Sequence, residues 1–235
     1  MHLFYSEDLS KDLIQLTAEE SRHCAKALRI QPGDEVAFVD GKGQFCKARM
    51  LSVDARASQA SVVHREKQKP RSFHLHIAIA PTKNIDRFEW FLEKATECGI
   101  DEITPILCEQ SERRVIKPAR LNKILIAAMK QSQRAYLPQL NEAVKLSQLL
   151  ENYQSETPAF IAHCDKGQKH PLGRTYQPGS DALVLIGPEG DFSNQEVQTA
   201  LEKGMKPVSL GENRLRTETA AMVTCIQLNS INNLL

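Results

Sequence analysis

Two short segments carry the residue types that bind polar ligands and anions. In Leu183-Val-Leu-Ile-Gly-Pro-Glu-Gly-Asp-Phe-Ser193, an apolar run leads into Gly187-Pro188-Glu189-Gly190. Glycines there let a backbone approach a ligand, and amides at a following helix start are free to donate. In Val208-Ser-Leu-Gly-Glu-Asn-Arg-Leu-Arg-Thr-Glu-Thr-Ala220, a second run ends at Gly211, and Arg214 and Arg216 flank Leu215 before Thr217 and Glu218. Two arginines beside a helix start suit phosphate or another anion. The plainer alternatives are a simple strand–turn–helix connection and arginines paired with Glu212 and Glu218. No Gly-Lys-Ser/Thr and no Gly-x-Gly-x-x-Gly follows either strand, which excludes a Walker loop and an ordinary dinucleotide fingerprint.

A second kind of chemistry lies in the cations. Residues 109–134 hold seven positive side chains, among them Arg113, Arg114 and Arg134, against Glu109 and Glu112. A local excess of this kind supplies salt-dependent phosphate contacts, with a solvated helix face as the alternative. Arg22, Lys26 and Arg29 form a smaller set at about helical spacing. Metal chemistry is not expected. The six cysteines, at 24, 46, 98, 108, 164 and 225, contain no Cys-x-x-Cys pair, and His74 and His76 alternate in a strand-like run.

The elements that must position these residues fall into two unlike parts. Residues 1–70 are β-rich, with strands expected over 35–39, 45–53 and 61–65, turn chemistry at Asp40-Gly-Lys-Gly43, and a helix over 17–28 opened by Thr17 and Glu20 in capping-box spacing. This predicts a small barrel. The polar stretch 67–72 reads as a linker. From residue 73 to 235, strands over 74–80, 102–108, 159–164, 182–186 and 207–210 alternate with helices over 86–98, 118–134, 193–203 and 217–228. That rhythm predicts an α/β domain with a mostly parallel sheet covered on both faces.

The chain has 235 residues, 41% hydrophobic and 25% charged, enough for one or two globular domains. Its formal net charge of +1 excludes a histone-like polycation, though not a local nucleic-acid patch. No run approaches the roughly 20 apolar residues of a spanning helix. The start lacks a basic region followed by an apolar one, so a cytoplasmic protein without a membrane partner is expected, its thiols reduced and mostly buried.

The two ligand segments together are more specific than either alone. Gly187-Pro-Glu-Gly190 with Phe192-Ser193, then Leu210-Gly211 and Leu215-Arg-Thr-Glu-Thr-Ala220, resemble the SPOUT methyltransferase superfamily. Within it the chain is similar to the ribosomal RNA small-subunit methyltransferase E family, which methylates N3 of a uridine in 16S ribosomal RNA. Arg22-His23, Leu28-Arg29, Pro32-Gly33-Asp34 and Asp40-Gly-Lys-Gly43 look like that family's PUA-like domain. Lys94-Ala-Thr-Glu97 with Gly99, and Gln131-Ser-Gln-Arg134 with Pro138, match its middle. The sequence departs at Asp191, where the family loop often has a second glycine, at Cys98, where leucine is commoner, and in the charged Glu212-Asn213-Arg214. Asp191 adds a negative charge beside the ligand loop.

The resemblance implies a PUA-like RNA-binding domain over 1–70 and a SPOUT methyltransferase domain over 73–235 with a carboxyl-terminal trefoil knot. Its cofactor would be S-adenosyl-L-methionine. Ile186, Gly187, Pro188, Glu189 and Gly190 would hold it from one loop, and Leu210, Gly211, Leu215, Arg216 and Thr217 from the other. The partners would be 16S ribosomal RNA, in the assembled small subunit, and a second copy of the chain in a homodimer. Removing the uridine N3 proton calls for a base, or for a cation that stabilises the developing anion. Arg216 is the candidate cation and Glu189 the candidate carboxylate, with loop or helix capping as the plainer role for Glu189. Arg22, Lys26, Arg29, Arg113, Arg114 and Arg134 are the candidate RNA contacts. A methyltransferase of transfer RNA or 23S RNA and a non-catalytic ribosome-assembly factor are the alternatives.

Overall fold

The computed structural model describes residues 1–154, 156–164 and 169–235. The chain divides into two compact units, Met1–Pro70 with Ile126–Leu137, and Arg71–Leu125 with Pro138–Leu235.

In the first unit, strands β1 (His2–Tyr5), β2 (Leu13–Gln15), β3 (Glu35–Val39), β4 (Gln44–Ser52) and β5 (Gln59–Lys67) form one sheet in the order β1-β3-β4-β5-β2. β1 runs parallel to β3, and the other neighbours are antiparallel. Phe4, Val36, Phe38 and Met50 lie in its core. The β3–β4 turn follows its sequence. Asp40 Oδ1 accepts from the backbone N–H groups of Lys42 and Gln44 at 2.7 and 3.0 Å, and Gly41 and Gly43 take φ of 73° and 96°.

The helix expected over 17–28 is shorter and irregular. Helix α1 (Ala18–Arg22) passes into one π turn, His23–Leu28. Its wide bonding lets the N–H of Arg29, at φ 53°, reach Cys24 O, and the reversal returns Ile30 to the core. Thr17 does cap α1, its Oγ1 accepting from Glu20 N at 3.2 Å. The Glu20 carboxylate turns to Lys130 Nζ at 2.6 Å.

The second unit contains strands β6 (Leu75–Ile79), β7 (Glu102–Leu107), β8 (Gln139–Leu140), β9 (Val144–Lys145), β10 (Ala159–Ala162), β11 (His170–Pro171), β12 (Ala182–Ile186) and β13 (Lys206–Ser209). Seven lie in the order β11-β13-β10-β12-β6-β7-β8, and β9 also pairs with β7. Every pairing among them is parallel. Helices are α2 (Ile85–Cys98), α3 (Pro118–Gln131), which divides between the units after Leu125, α4 (Leu146–Asn152), α5 (Leu172–Thr175), α6 (Asn194–Glu202) and α7 (Thr217–Ile231).

Strand β12 is buried along its whole length, as a strand covered on both faces must be. Ala78, Ile161 and Leu185 pack with Leu146 of α4 and Ala200 of α6. Helix α7 packs against α2, β6 and β12. Arg71 braces the far end of α7. Its Nη1 donates to Gly99 O and Asn229 Oδ1, both at 2.7 Å, it pairs with Asp101, and it lies over the Phe73 ring. Part of the expected linker is therefore structural: Lys67 ends β5, and Arg71 is anchored because its guanidinium satisfies two carbonyl-type acceptors and a carboxylate at once.

The fold is thus α/β with a parallel sheet, preceded in the chain by a small β-sheet unit. The loop through which the expected knot would be tied includes residues 165–168, which lie outside the described residues. All six cysteines are free, and Cys24, Cys46, Cys108 and Cys225 are buried. Among the described residues no helix is long and apolar enough to cross a membrane.

Candidate active site

Because the sheet is parallel, the carboxyl ends of β6, β7, β10, β12 and β13 meet along one edge, the usual ligand position in such a sheet. Four loops at this edge, 81–84, 108–115, 187–192 and 210–216, are tied together by named hydrogen bonds.

The loop after β12 ends in helix α6, opened by the expected capping box. Ser193 Oγ accepts from Glu196 N at 3.3 Å, and Glu196 Oε2 accepts from Ser193 N at 2.8 Å. Glu196 Oε1 also accepts from Glu109 N at 2.8 Å, which joins the loops after β12 and β7. Asp191 has φ of 69°. This left-handed backbone suits glycine, and aspartate is among the few side chains that tolerate it. Its carboxylate accepts from Phe192 N at 2.9 Å and Cys164 N at 2.7 Å. Two backbone donors therefore occupy the charge that the sequence left facing the ligand loop.

The loop after β13 closes on the loop after β12. Thr217 Oγ1 donates to Gly187 O at 3.0 Å, and Arg214 Nη2 donates to Glu189 O at 3.2 Å. Gly211 has φ of 148° and open space where a Cβ would stand. Arg216 occupies the N-cap of α7, exposed, with no side-chain cap bond. It does not pair with Glu218, which is buried with Oε1 3.8 Å from Arg87 Nε and Oε2 without a partner among the described residues.

Two adjoining cavities of about 230 and 270 Å³ lie between these loops and share Ala162, Cys164, Arg214, Leu215 and Ala220. Leu210 and Gly211 line the first, and Ile186, Gly187, Pro188, Glu189, Arg216 and Thr217 line the second. Nine of the ten expected cofactor residues thus come together. Gly190 stands one step away, where an added Cβ would meet Gln110 Oε1 at 2.5 Å and Gln110 Cβ at 3.2 Å. Ala162 and Cys164 carried no sequence signal for this site; the parallel pairing of β10 with β12 places them there. Burial and the nearby Asp191 carboxylate push the Cys164 thiol pKa above its ordinary value.

Glu189 Oε1 accepts from Lys83 N at 2.9 Å. Lys83 Nζ in turn pairs with Glu112 at 2.8 Å, which raises the ammonium pKa. Arg113 grips the same loop, its Nε 3.0 Å from Thr82 O and its Nη2 2.7 Å from Lys83 O. These bonds set the amide that holds Glu189. Arg113→Ala should therefore remove a donor from two carbonyls, one of them exposed to water, and lower stability by about 0.5–1.5 kcal/mol. Lysine should restore little, lacking the fork. Thermal melting of the two variants checks this; an unchanged melt for Arg113→Ala would leave the residue to RNA alone.

The other expected RNA contacts differ in their surroundings. Arg22, Lys26 and Arg29 are exposed, and their side chains have no partner among the described residues. Arg114 is exposed and donates to Glu109 O at 3.2 Å, and Arg134 is half-buried. Within 109–134, Arg120 is held by Glu89 at 2.7 Å and Lys130 by Glu20 at 2.6 Å. Two of the seven cations are thus paired with carboxylates distant in sequence. Among the described residues no group of three histidine, cysteine or acidic side chains is arranged to hold a metal.

Comparison with known proteins agrees with this architecture. Residues 68–229 match the RNA methyltransferase domain family, and residues 16–63 match the RNA methyltransferase PUA domain. The chain is 32% identical to ribosomal RNA small subunit methyltransferase E of Aquifex aeolicus, with 94% of this chain and 96% of the relative aligned. It superimposes on a probable rRNA-methyltransferase from Porphyromonas gingivalis with a TM-score of 0.92 at 41% identity, covering 99% of both chains. It superimposes on a ribosomal RNA small subunit methyltransferase E from Neisseria gonorrhoeae, solved bound to S-adenosyl methionine, with a TM-score of 0.89 at 27% identity, covering 98% of both. With both domains matched in order and a relative 32% identical over nearly the full length of both chains, the chain belongs to the ribosomal RNA small subunit methyltransferase E family.

Proposed function

We propose that the protein is an S-adenosylmethionine-dependent methyltransferase that methylates N3 of a uridine in 16S ribosomal RNA. The observation that carries this reading is the paired cavity between the loops after β12 and β13, lined by nine of the ten residues expected to hold the cofactor. The donor set fits. Ile186, Leu210 and Leu215 offer apolar walls for an adenine, and the backbone beside Gly211 is open. The cofactor, when bound, supplies a methyl group already activated for transfer.

The protein's own task is then to position, to exclude water and to manage one proton. The bonds Thr217–Gly187 and Arg214–Glu189 fix the two loops before any ligand arrives, so little reorganisation remains for the reaction. Arg216, exposed at the cavity and without a partner among the described residues, is placed to face the uridine anion that forms as the N3 proton leaves. Glu189 lines the same cavity but spends one oxygen on Lys83 N. That contact supports the loop-holding role for Glu189 at least as well as proton acceptance.

The reading extends to partners. Residues 1–70 serve as the RNA-binding domain and 73–235, apart from the segment 126–137 that belongs to the first unit, as the catalytic one. The enzyme works as a cytoplasmic homodimer on the assembled small subunit. Arg22, Lys26 and Arg29, which have no carboxylate partner among the described residues, are the best-supported RNA contacts, Arg114 and Arg134 are further candidates, and Arg113 acts mainly on the loop. Changing Arg22, Lys26 and Arg29 together to alanine should make the slope of log affinity against log salt shallower by about 2. Cofactor affinity should not move. An unaltered slope would take the first unit out of RNA binding.

Calorimetric titration with S-adenosylmethionine, followed by methyl transfer to small subunits, free 16S RNA, 23S RNA and transfer RNA, tests the function. Saturable cofactor binding and transfer confined to the small subunit or its RNA is the expected result. No cofactor binding would favour an assembly factor, and transfer to 23S or transfer RNA would change the substrate.

A further inference from the structure

The parallel sheet has a second recess, at the opposite end from the cofactor loops. A cavity of about 400 Å³ opens by the amino ends of β6, β7 and β12, beside α4. That volume lies in the range of small-molecule sites.

The floor is a polar network. Asn141 Nδ2 donates to Glu102 Oε1 at 2.6 Å and to Thr104 Oγ1 at 2.7 Å. Its own Oδ1 accepts from Gln139 Nε2 at 2.7 Å, which fixes the amide. His76 Nε2 lies 2.7 Å from Thr104 Oγ1. Among the described residues Glu102 Oε2 has one partner, His74 Nε2 at 3.5 Å, while Oε1 also lies 3.7 Å from His76 Nε2. One oxygen of Glu102 is therefore held from behind, and the other faces the cavity short of donors. The apolar side chains of Leu149 and Leu183 and the Tyr153 ring supply the walls.

This chemistry selects its ligand. Among the described residues no lysine or arginine lines the cavity, whose basic side chains are His74 and His76, and a phosphate or carboxylate there would face Glu102. The apolar walls favour a planar ring over a flexible chain. A carboxylate asks for two adjacent N–H donors, as in its pairing with a guanidinium fork. Among the RNA bases only guanine presents two such donors side by side, N1–H and the 2-amino group. Uracil offers one N–H between two carbonyls that a carboxylate repels, and adenine and cytosine set a ring acceptor beside their amino group.

We infer that this cavity binds an unpaired guanine base, with Glu102 reading its N1–H and 2-amino edge and any attached phosphate remaining outside. The base can come from an RNA or from a free guanine nucleotide.

Titration of the full chain, kept saturated with S-adenosylmethionine so that the cofactor cavity takes no nucleoside, with guanosine, inosine, adenosine and uridine tests the inference. Guanosine should bind saturably, inosine, which lacks the 2-amino group, about tenfold more weakly, and the other two not measurably. Glu102→Gln, which sets an amide donor against those of guanine, should weaken guanosine binding by about tenfold or more. Leu149→Trp fills the cavity without touching the polar network and should abolish binding in a folded chain. S-adenosylmethionine affinity should stay at the parental value in both variants, so failure here is separable from failure of the methyltransferase reading. Absence of guanosine binding, equal affinity for all four nucleosides, or binding indifferent to both variants would overturn the inference. A 16S-derived oligonucleotide with inosine in place of guanosine separates the sources. Weakened binding that Leu149→Trp also produces identifies RNA. Unchanged oligonucleotide binding, with guanosine monophosphate still bound, identifies the free nucleotide.

Discussion

Arg216→Ala should slow methyl transfer by about 10²–10³ in single turnover at saturating cofactor and RNA, the loss typical of removing one donor that meets developing charge. The expectation rests on the residue's surroundings. Arg216 sits at the N-cap of α7, exposed, lining the second cavity, and its sequence neighbour Glu218 is turned away toward Arg87. No described residue therefore takes up its charge, whereas Arg214 donates to Glu189 O. Arg216→Lys should recover only part of the rate, since an ammonium keeps the charge but not the planar fork. Single-turnover rates separate the chemical step from binding. A near-parental rate for the alanine variant would move the role to another cation or to the other subunit.

The second large effect concerns Gly190. Gly190→Val should weaken S-adenosylmethionine binding by about 100-fold or more, or about 2.7 kcal/mol, while the chain still melts cooperatively. Sequence alone motivates this by close approach of backbone to ligand. The structure adds a different collision, because a Cβ at 190 would stand 2.5 Å from Gln110 Oε1. Gln110 is exposed, so its amide can swing aside, but its Cβ at 3.2 Å must also give. The double variant Gly190→Val with Gln110→Ala distinguishes the causes. If affinity returns, the glycine is needed for packing of the loop after β7 against the loop after β12. If affinity stays low, the added side chain blocks the cofactor itself. Undiminished affinity in the single variant would place the cofactor elsewhere.

What could be read in advance follows the range of the forces involved. The strand–loop–helix at 182–202 was legible because each of its parts is local: an apolar run, glycines, and Ser193 three residues before Glu196. The β3–β4 turn was legible for the same reason. Strands β1 and β2 left no such signal. They exist because β1 pairs in parallel with β3 and β2 pairs with β5, contacts made across 30 to 50 residues of chain. Helices α4 and α5, of 7 and 4 residues, are likewise too short for a periodic pattern to stand out. The π turn after α1 is set by where Ile30 must return to the core, which no spacing reveals.

The site divides in the same way. Residue types at 186–190 and 210–217 marked the two ligand loops, and the fold brings them together. Charge, by contrast, is legible only as a count. Arg113, Arg120 and Lys130 look alike in the sequence, yet one grips the carbonyls of Thr82 and Lys83, one pairs with Glu89 and one with Glu20. Asp191 looked like an unwelcome charge beside an anion loop. Its left-handed backbone and its two accepted N–H bonds show why an aspartate can stand where glycine is usual.

The central claim is tested most directly by nucleotide-resolved mass spectrometry of 16S ribosomal RNA from cells with and without this gene. One uridine should carry a methyl group on N3 in the parent and lose it in the deletion. Restoring the intact gene should return the modification, and the Arg216→Ala variant should not return it fully. Identical 16S RNA in both strains, or a methyl group missing instead from 23S or transfer RNA, would contradict the claim.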